Sequence, residues 1–219
     1  TQSRSSAASD VYKRQVHTGA GVLVAQNPGN IVGWQTDHAG KVRAAVTSDG
    51  LNTTLLYRDN EASEFRPLLT TDYRTSVSPA FFTFDDKKFY ALSNRGRDKL
   101  GLVVIDPATP DKEDEIFTPD TVDLDAAGFS RKRRVLTVAS YQTDKPQFKF
   151  FDKETETLFK NLSAKLEGYQ FAIQGANRDE DKFIVAAYND RTAGSRYIYD
   201  ARADLSLIHI SEPTRPERI

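Results

Sequence analysis

Short apolar runs, each opened by a basic residue that closes a polar turn, recur four times along the chain. Lys41 precedes Val42–Val46, Lys88 precedes Phe89–Ser93, Arg134 precedes Val135–Ala139 and Lys182 precedes Phe183–Ala187. The four basic residues are spaced 47, 46 and 48 positions apart. Runs of this length, rich in Val, Ile, Phe and Tyr and bounded by turn residues, are too short for helices and predict strands. A period in the forties filled with strands predicts a β-propeller, whose blades each hold four antiparallel strands. The fold class expected is therefore all-β: a partial propeller of about four blades. Within the runs apolar residues follow one another without strict alternation, as expected of sheets covered on both faces.

The repeats parse into strands A to D. In the first, A is Val32–Thr36, B is Val42–Thr47, C is Thr53–Tyr57 and D is Phe65–Leu69. In the second, A is Ala80–Phe84 and C is Leu102–Ile105, ended by Asp106-Pro107 because proline has no N–H to give a ladder. The third offers Val135–Ala139, Phe148–Phe151 and a last strand at Thr157–Lys160. The fourth offers Phe183–Tyr188 and Arg196–Tyr199, with no strand D expected before residue 205. Val22–Ala25 reads as the last strand of a preceding blade.

The two ends differ from the repeats and are related to each other. Asp10–Gln15 can be encoded GAT GTG TAT AAG AGA CAG, and the reverse complement of that string translates to Leu-Ser-Leu-Ile-His-Ile, the sequence of Leu205–Ile210. The pair resembles the translated inverted ends of a transposase-type sequencing adapter, with Ser5–Ser9 and Ser211–Arg215 as its flanks. Residues 1–15 and 205–219 are accordingly expected to be artefactual and unstructured. The propeller is expected over 16–204, truncated at both sides and lacking its true N-terminus.

Charge changes the picture by exclusion. Thirty basic residues balance 31 acidic ones. No field of one sign exists to steer nucleic acid, and no apolar run is long enough to insert in a membrane. The absence of cysteine removes disulfides and thiolate metal sites without naming a compartment, so bacterial cytoplasm and periplasm both remain open. Neither a cofactor nor a metal is implied. The three histidines are His17 near the terminal boundary, His38 in a hairpin turn and His209 in the terminal segment, a poor basis for a catalytic base. Asp120, Asp123 and Asp125, or Asp179 with Asp181, lack the glycine-bearing loop and terminal glutamate of a dedicated calcium site. The basic run Arg131–Arg134 occupies the same A–B turn as Asp37–Lys41, and reads as a solvated hairpin tip.

The wording of the repeats is more specific than their period. Asn27–Asp59, Ser78–Lys99 and the segment around Phe150–Thr155 resemble the N-terminal propeller of the prolyl oligopeptidase family of serine peptidases, which includes dipeptidyl aminopeptidases and acylaminoacyl peptidases. The resemblance spans about Val24–Ala201. It implies a bacterial peptidase whose propeller admits short peptides to a C-terminal α/β-hydrolase domain carrying a Ser, Asp, His triad. That domain, the expected partner in cis, has no counterpart here, since no G-x-S-x-G elbow is present. The alternative reading is a stand-alone scaffolding propeller of the TolB kind. Oligomeric state is not legible.

One loop carries candidate chemistry. Asn94-Arg95-Gly96-Arg97-Asp98-Lys99 joins strands B and C of the second repeat, and guanidinium forks suit a carboxylate. Arg95 and Arg97 are expected either to contact substrate or a neighbouring domain, or to hold an ordinary loop through a local Arg–Asp pair.

Overall fold

At the end of the first strand of each of four successive sheets a small polar side chain folds back on the turn that follows. These residues are Asp37, Thr83, Ser130 and Asn177, spaced 46, 47 and 47 positions apart. Asp37 Oδ1 accepts from the Lys41 amide, Thr83 Oγ1 from Lys88, Ser130 Oγ from Arg133, and Asn177 Oδ1 from Lys182. Side chains that satisfy turn amides in this way fix where one strand ends and the next begins. The repeat is thus a repeat of turns as much as of apolar runs.

The computed structural model describes residues 8–203 and 205–210. The strands run β1 Val11–Arg14, β2 Gly21–Ala25, β3 Ile31–Thr36, β4 Val42–Ser48, β5 Asn52–Tyr57, β6 Arg66–Asp72, β7 Val77–Phe82, β8 Phe89–Ser93, β9 Gly101–Ile105 and β10 Glu113–Phe117. They continue as β11 Leu124–Ser130, β12 Val135–Gln142, β13 Pro146–Phe150, helix α1 Lys153–Lys165, β14 Gln170–Ala176, β15 Lys182–Asn189, β16 Thr192–Asp200 and β17 Leu205–Ile210. Sequence neighbours are sheet neighbours throughout: β3-β4-β5-β6, β7-β8-β9-β10 and β14-β15-β16-β17 form four-stranded sheets, β11-β12-β13 a three-stranded one, and β1-β2 a hairpin. Among the described residues the architecture is all-β in its sheets, with one helix. Two compact units are present, Thr1–Ala127 with Ala139–Gln147 and Gly128–Val138 with Phe148–Ile219.

In the first unit two sheets share one apolar layer. Ala44, Leu55 and Tyr57 from the first sheet are buried with Val77, Phe82, Phe89, Ala91, Val103 and Ile105 from the second. Each large side chain removed from water contributes about 1.5–3 kcal/mol. Arg43 closes the layer at one end: its guanidinium lies 5.4 Å from the Tyr57 ring and 5.5 Å from the Phe82 ring. The same group donates to Tyr57 Oη at 2.6 Å and pairs with Asp37 at 3.5 Å. Both charge and stem are therefore used.

The second unit solves the same problem with a helix. Leu158 and Leu162 of α1 and Leu166 at its C-cap, four residues apart, form one stripe and pack on Phe171, Ile173, Phe183, Val185, Ala187, Tyr197 and Tyr199 of the fourth sheet. Phe159 meets Phe148, Phe150 and Phe171 at ring distances of 4.8, 5.1 and 5.5 Å. Asp152 is the N-cap, accepting from the Thr155 amide at 2.9 Å and hydroxyl at 2.7 Å. Glu154 and Glu156 sit in the first turn and Lys165 in the last, matching the helix dipole.

Two expectations are corrected here. Thr157–Lys160, read as strand D of the third repeat, lies inside α1, because the capping aspartate and the leucine stripe outweigh local strand propensity. The terminal segments read as unstructured contain β1 and β17. Val11–Arg14 pairs with β2, and Leu205–Ile210 pairs with β16 at the strand D position of the fourth sheet. An open sheet edge offers a row of unpaired backbone groups, and a leucine- and isoleucine-rich hexapeptide beside it satisfies them.

Asp152 also generates a pH test. Burial works against its ionisation, but hydrogen bonds from Thr155 and the charge of Arg133 outweigh this and hold the carboxyl below its ordinary value of 3.8. A depressed folded-state value means that the stabilisation is present above pH 3.8 and is lost as pH falls through the folded-state value. Asp152→Ala is expected to destabilise the second unit by about 1 kcal/mol, the usual worth of an N-cap. Urea unfolding at pH 7 and pH 3 checks it, with the difference between variant and parent shrinking at the lower pH.

Candidate functional site

The loop that carries Arg95 and Arg97 is bent by its own backbone. Arg97 N–H donates to the Asn94 carbonyl at 3.0 Å, and Gly96 between them takes φ of +71°, where a side chain would be strained. Asn94 anchors the base, accepting from the Ser76 amide at 2.7 Å and donating to the Arg74 carbonyl at 3.2 Å. The loop therefore leaves β8 in one direction and returns into β9.

Both guanidiniums turn inward to Glu113 on β10. Arg95 Nε lies 3.1 Å from Glu113 Oε1, and Arg97 Nη2 lies 3.4 Å from Glu113 Oε2. The buried Ser93 hydroxyl donates to Glu113 Oε1 at 2.9 Å, and Arg95 Nη2 donates to the Pro110 carbonyl at 2.9 Å. The Glu113 side chain is only 5% exposed, so its charge needs this full set of donors. Arg97 Nη1 lies 3.8 Å from Glu115, close enough for attraction but too far for a hydrogen bond, and it is buried without another acceptor. Gly101 makes the arrangement fit, since a Cβ there would overlap Thr118 Oγ1 and come within 3.1 Å of Arg97 Nη1. The local partners of the arginines are glutamates from β10. Asp98 pairs instead with Lys99, at 3.1 Å.

Other residues singled out from sequence are dispersed. His38 Nδ1 and its amide both meet Asp86 Oδ1, at 2.7 and 3.1 Å, and the ring lies 4.7 Å from Phe84. His17 is exposed, and the side chain of His209 lies outside the described residues. Asp123 accepts from the Leu100 amide at 2.8 Å. The hydrogen bond from Asn177 holds the Asp181 carboxyl below its ordinary value, and Arg202 pairs with it at 2.7 Å. Among the described residues no three His, Cys, Asp or Glu side chains converge as metal ligands.

Arg133 differs from the solvated tip expected of its run. Its Nη2 donates to Asp152 at 2.7 Å and to Thr155 Oγ1 at 3.0 Å, while Nη1 pairs with Glu154 at 3.1 Å and Glu180 at 3.5 Å. One guanidinium thus ties a turn to the helix cap and to the next turn. Glu113 and Ser93 were likewise not singled out from sequence. The Glu113-Asp114-Glu115 run was their available signal, three acids in a strand position some fifteen residues beyond two arginines.

No family profile matches the chain, and no curated protein matches it. Solved structures do. The chain is similar to a structure from a study of two prolyl endopeptidases and the role of inter-domain dynamics in their catalysis and specificity, with a TM-score of 0.56, 15% identity, and coverage of 91% of this chain and 30% of that one. It is also similar to a puromycin hydrolase point mutant crystallised with PGG, with a TM-score of 0.50, 13% identity, and coverage of 90% and 32%. At these identities the likeness is one of fold. The chain spans about a third of the length of either structure. Among the described residues no helix is long and apolar enough to cross a membrane.

The carboxylate cluster makes a sharp comparison of two neighbours. Glu113→Ala strands two largely buried guanidiniums and is expected to cost about 3 kcal/mol, the low end for removing one partner of a buried pair. Glu115, 54% exposed, is expected to cost under about 1 kcal/mol when changed to alanine. Chemical denaturation of the two variants measures the gap; equal losses contradict the assignment of Glu113 as the centre of the cluster.

Proposed function

We propose that this chain is the non-catalytic propeller region of a serine peptidase of the prolyl oligopeptidase kind, which gates and orients short peptides for an α/β-hydrolase domain in the same polypeptide. The observation that carries this reading is the fold likeness to a prolyl endopeptidase over 91% of this chain but only 30% of that protein. Four meander-like sheets in succession, each following a turn of the same repeat, support it. The chemistry belongs to the hydrolase domain. The contribution of the sheets is exclusion: a walled entrance admits short or extended chains and keeps folded proteins from the nucleophile.

In this reading the loop at 94–99 is a surface for substrate or for the hydrolase domain, and Arg95 and Arg97 serve by holding its shape. Their guanidiniums are turned to Glu113, the Pro110 carbonyl and Glu115, while Asp98, 90% exposed, stands at the tip. Localisation in the bacterial cytoplasm or periplasm is part of the same proposal.

The uninterrupted gene decides the matter. It is expected to encode a G-x-S-x-G elbow followed by Asp and then His downstream of the fourth sheet, and the complete protein is expected to hydrolyse short chromogenic peptides but not folded protein. Arg95→Ala with Arg97→Ala in that complete enzyme is expected to change kcat/KM or stability. A stop codon soon after the sheets overturns the peptidase reading in favour of a binding propeller.

A further inference from the structure

A cleft of about 770 Å³ opens at the ends of β11 and β14. Its floor is apolar, from Phe129 and Ala176, and its walls are two successive turns bearing Arg131, Lys132, Arg178 and Asp179. The walls are braced against each other. Glu180 accepts from Ser130 Oγ at 2.5 Å and from the Lys132 amide at 3.2 Å, and Lys132 Nζ donates to the Asp179 carbonyl at 2.9 Å. The cleft is therefore formed before anything enters it, which lowers the cost of binding.

Its electrostatics favour an anion. Three cations line it against two carboxylates, and one of those, Glu180, already faces Arg133 at 3.5 Å outside the cleft. Arg131 holds its guanidinium 5.9 Å from the centre of the Phe129 ring, within cation–π range, and the residue is exposed. Arg178 stands exposed on the opposite turn. Guanidiniums at the rim and an aromatic ring at the floor match a molecule with a carboxylate beside an apolar side chain.

We propose that this cleft binds the C-terminal carboxylate and last apolar side chain of a short peptide. The peptide identity of the ligand rests on the function proposed above; the preference for an apolar carboxylate rests on the cleft alone. Titration calorimetry on the present chain tests it with three probes: acetyl-Ala-Ala-Phe as the free acid, the same tripeptide as its C-terminal amide, and inorganic phosphate. The free acid is expected to bind at least about tenfold more tightly than the amide. Arg131→Ala with Arg178→Ala is expected to remove at least the same factor, and Asp179→Asn to tighten binding. Circular dichroism confirms that the exposed substitutions leave the sheets intact, and Arg178→Gln alone provides a milder variant. Equal binding of acid and amide, or no loss in the arginine variants, overturns the inference. Phosphate binding as tightly as the tripeptide overturns the peptide assignment and leaves a plain anion site. A gene without a hydrolase domain would sink the peptidase reading without altering any of these affinities, so the two failures are distinguishable.

Discussion

A sheet with an apolar face must cover it, and the packing within each unit follows from that requirement. The second sheet lays Phe82, Phe89, Ala91, Val103 and Ile105 against the first, so these two sheets of the first unit share one apolar layer. In the second unit the fourth sheet needs the same cover, and α1 supplies it with Leu158, Leu162 and Leu166. Helix and sheet are interchangeable here because the demand is for apolar area at the right distance, which is not specific to one kind of secondary structure.

Packing is not the only link between neighbouring sheets; their turns are hydrogen-bonded to each other as well. Asp86 and Glu180 both adopt left-handed backbone, with φ of 55° and 51°. Such a conformation costs roughly 1–2 kcal/mol for a residue with a Cβ. In each case the carboxylate is thereby aimed at an amide of the preceding turn, His38 for Asp86 and Lys132 for Glu180, each 48 residues back. A hydrogen bond to a charged acceptor is worth about 1.5–3 kcal/mol, enough to offset the strain. The two latches lie in different units, so the device belongs to the repeat itself.

This explains which parts of the structure were legible in the sequence. Strands B and C were readable because their apolar runs and bounding turns are local facts, and β4, β5, β8, β9, β12 and β15 fall where the runs predict. Helix α1 was missed although its signals were local too: Asp152 before Lys153-Glu154-Thr155 is a cap, and the leucines keep a spacing of four. The expectation of a fourth strand overrode them. The cluster at Glu113 was only half legible, since sequence showed two arginines around a glycine but not which acid they would meet. That depends on β10 pairing with β9, a contact between segments whose charges look equally solvated when read in order. Arg133 was hidden for the same reason, being one of four adjacent basic residues of which the fold selects one to point inward.

The fate of each arginine is what separates structure from recognition in this chain. Arg43, Arg95, Arg97 and Arg133 are drawn into rings or carboxylates of the fold, and each is between 12% and 24% exposed. A guanidinium held that way cannot also greet a ligand without abandoning its partner, and a buried carboxylate such as Glu113 makes that departure expensive. Arg131 and Arg178 stand on the same kind of turn as Arg133 but remain at the surface, beside an aromatic floor and a braced wall. A repeat that builds rigidity from inward arginines leaves the outward ones unspent, and these are the ones to which the proposal above assigns recognition.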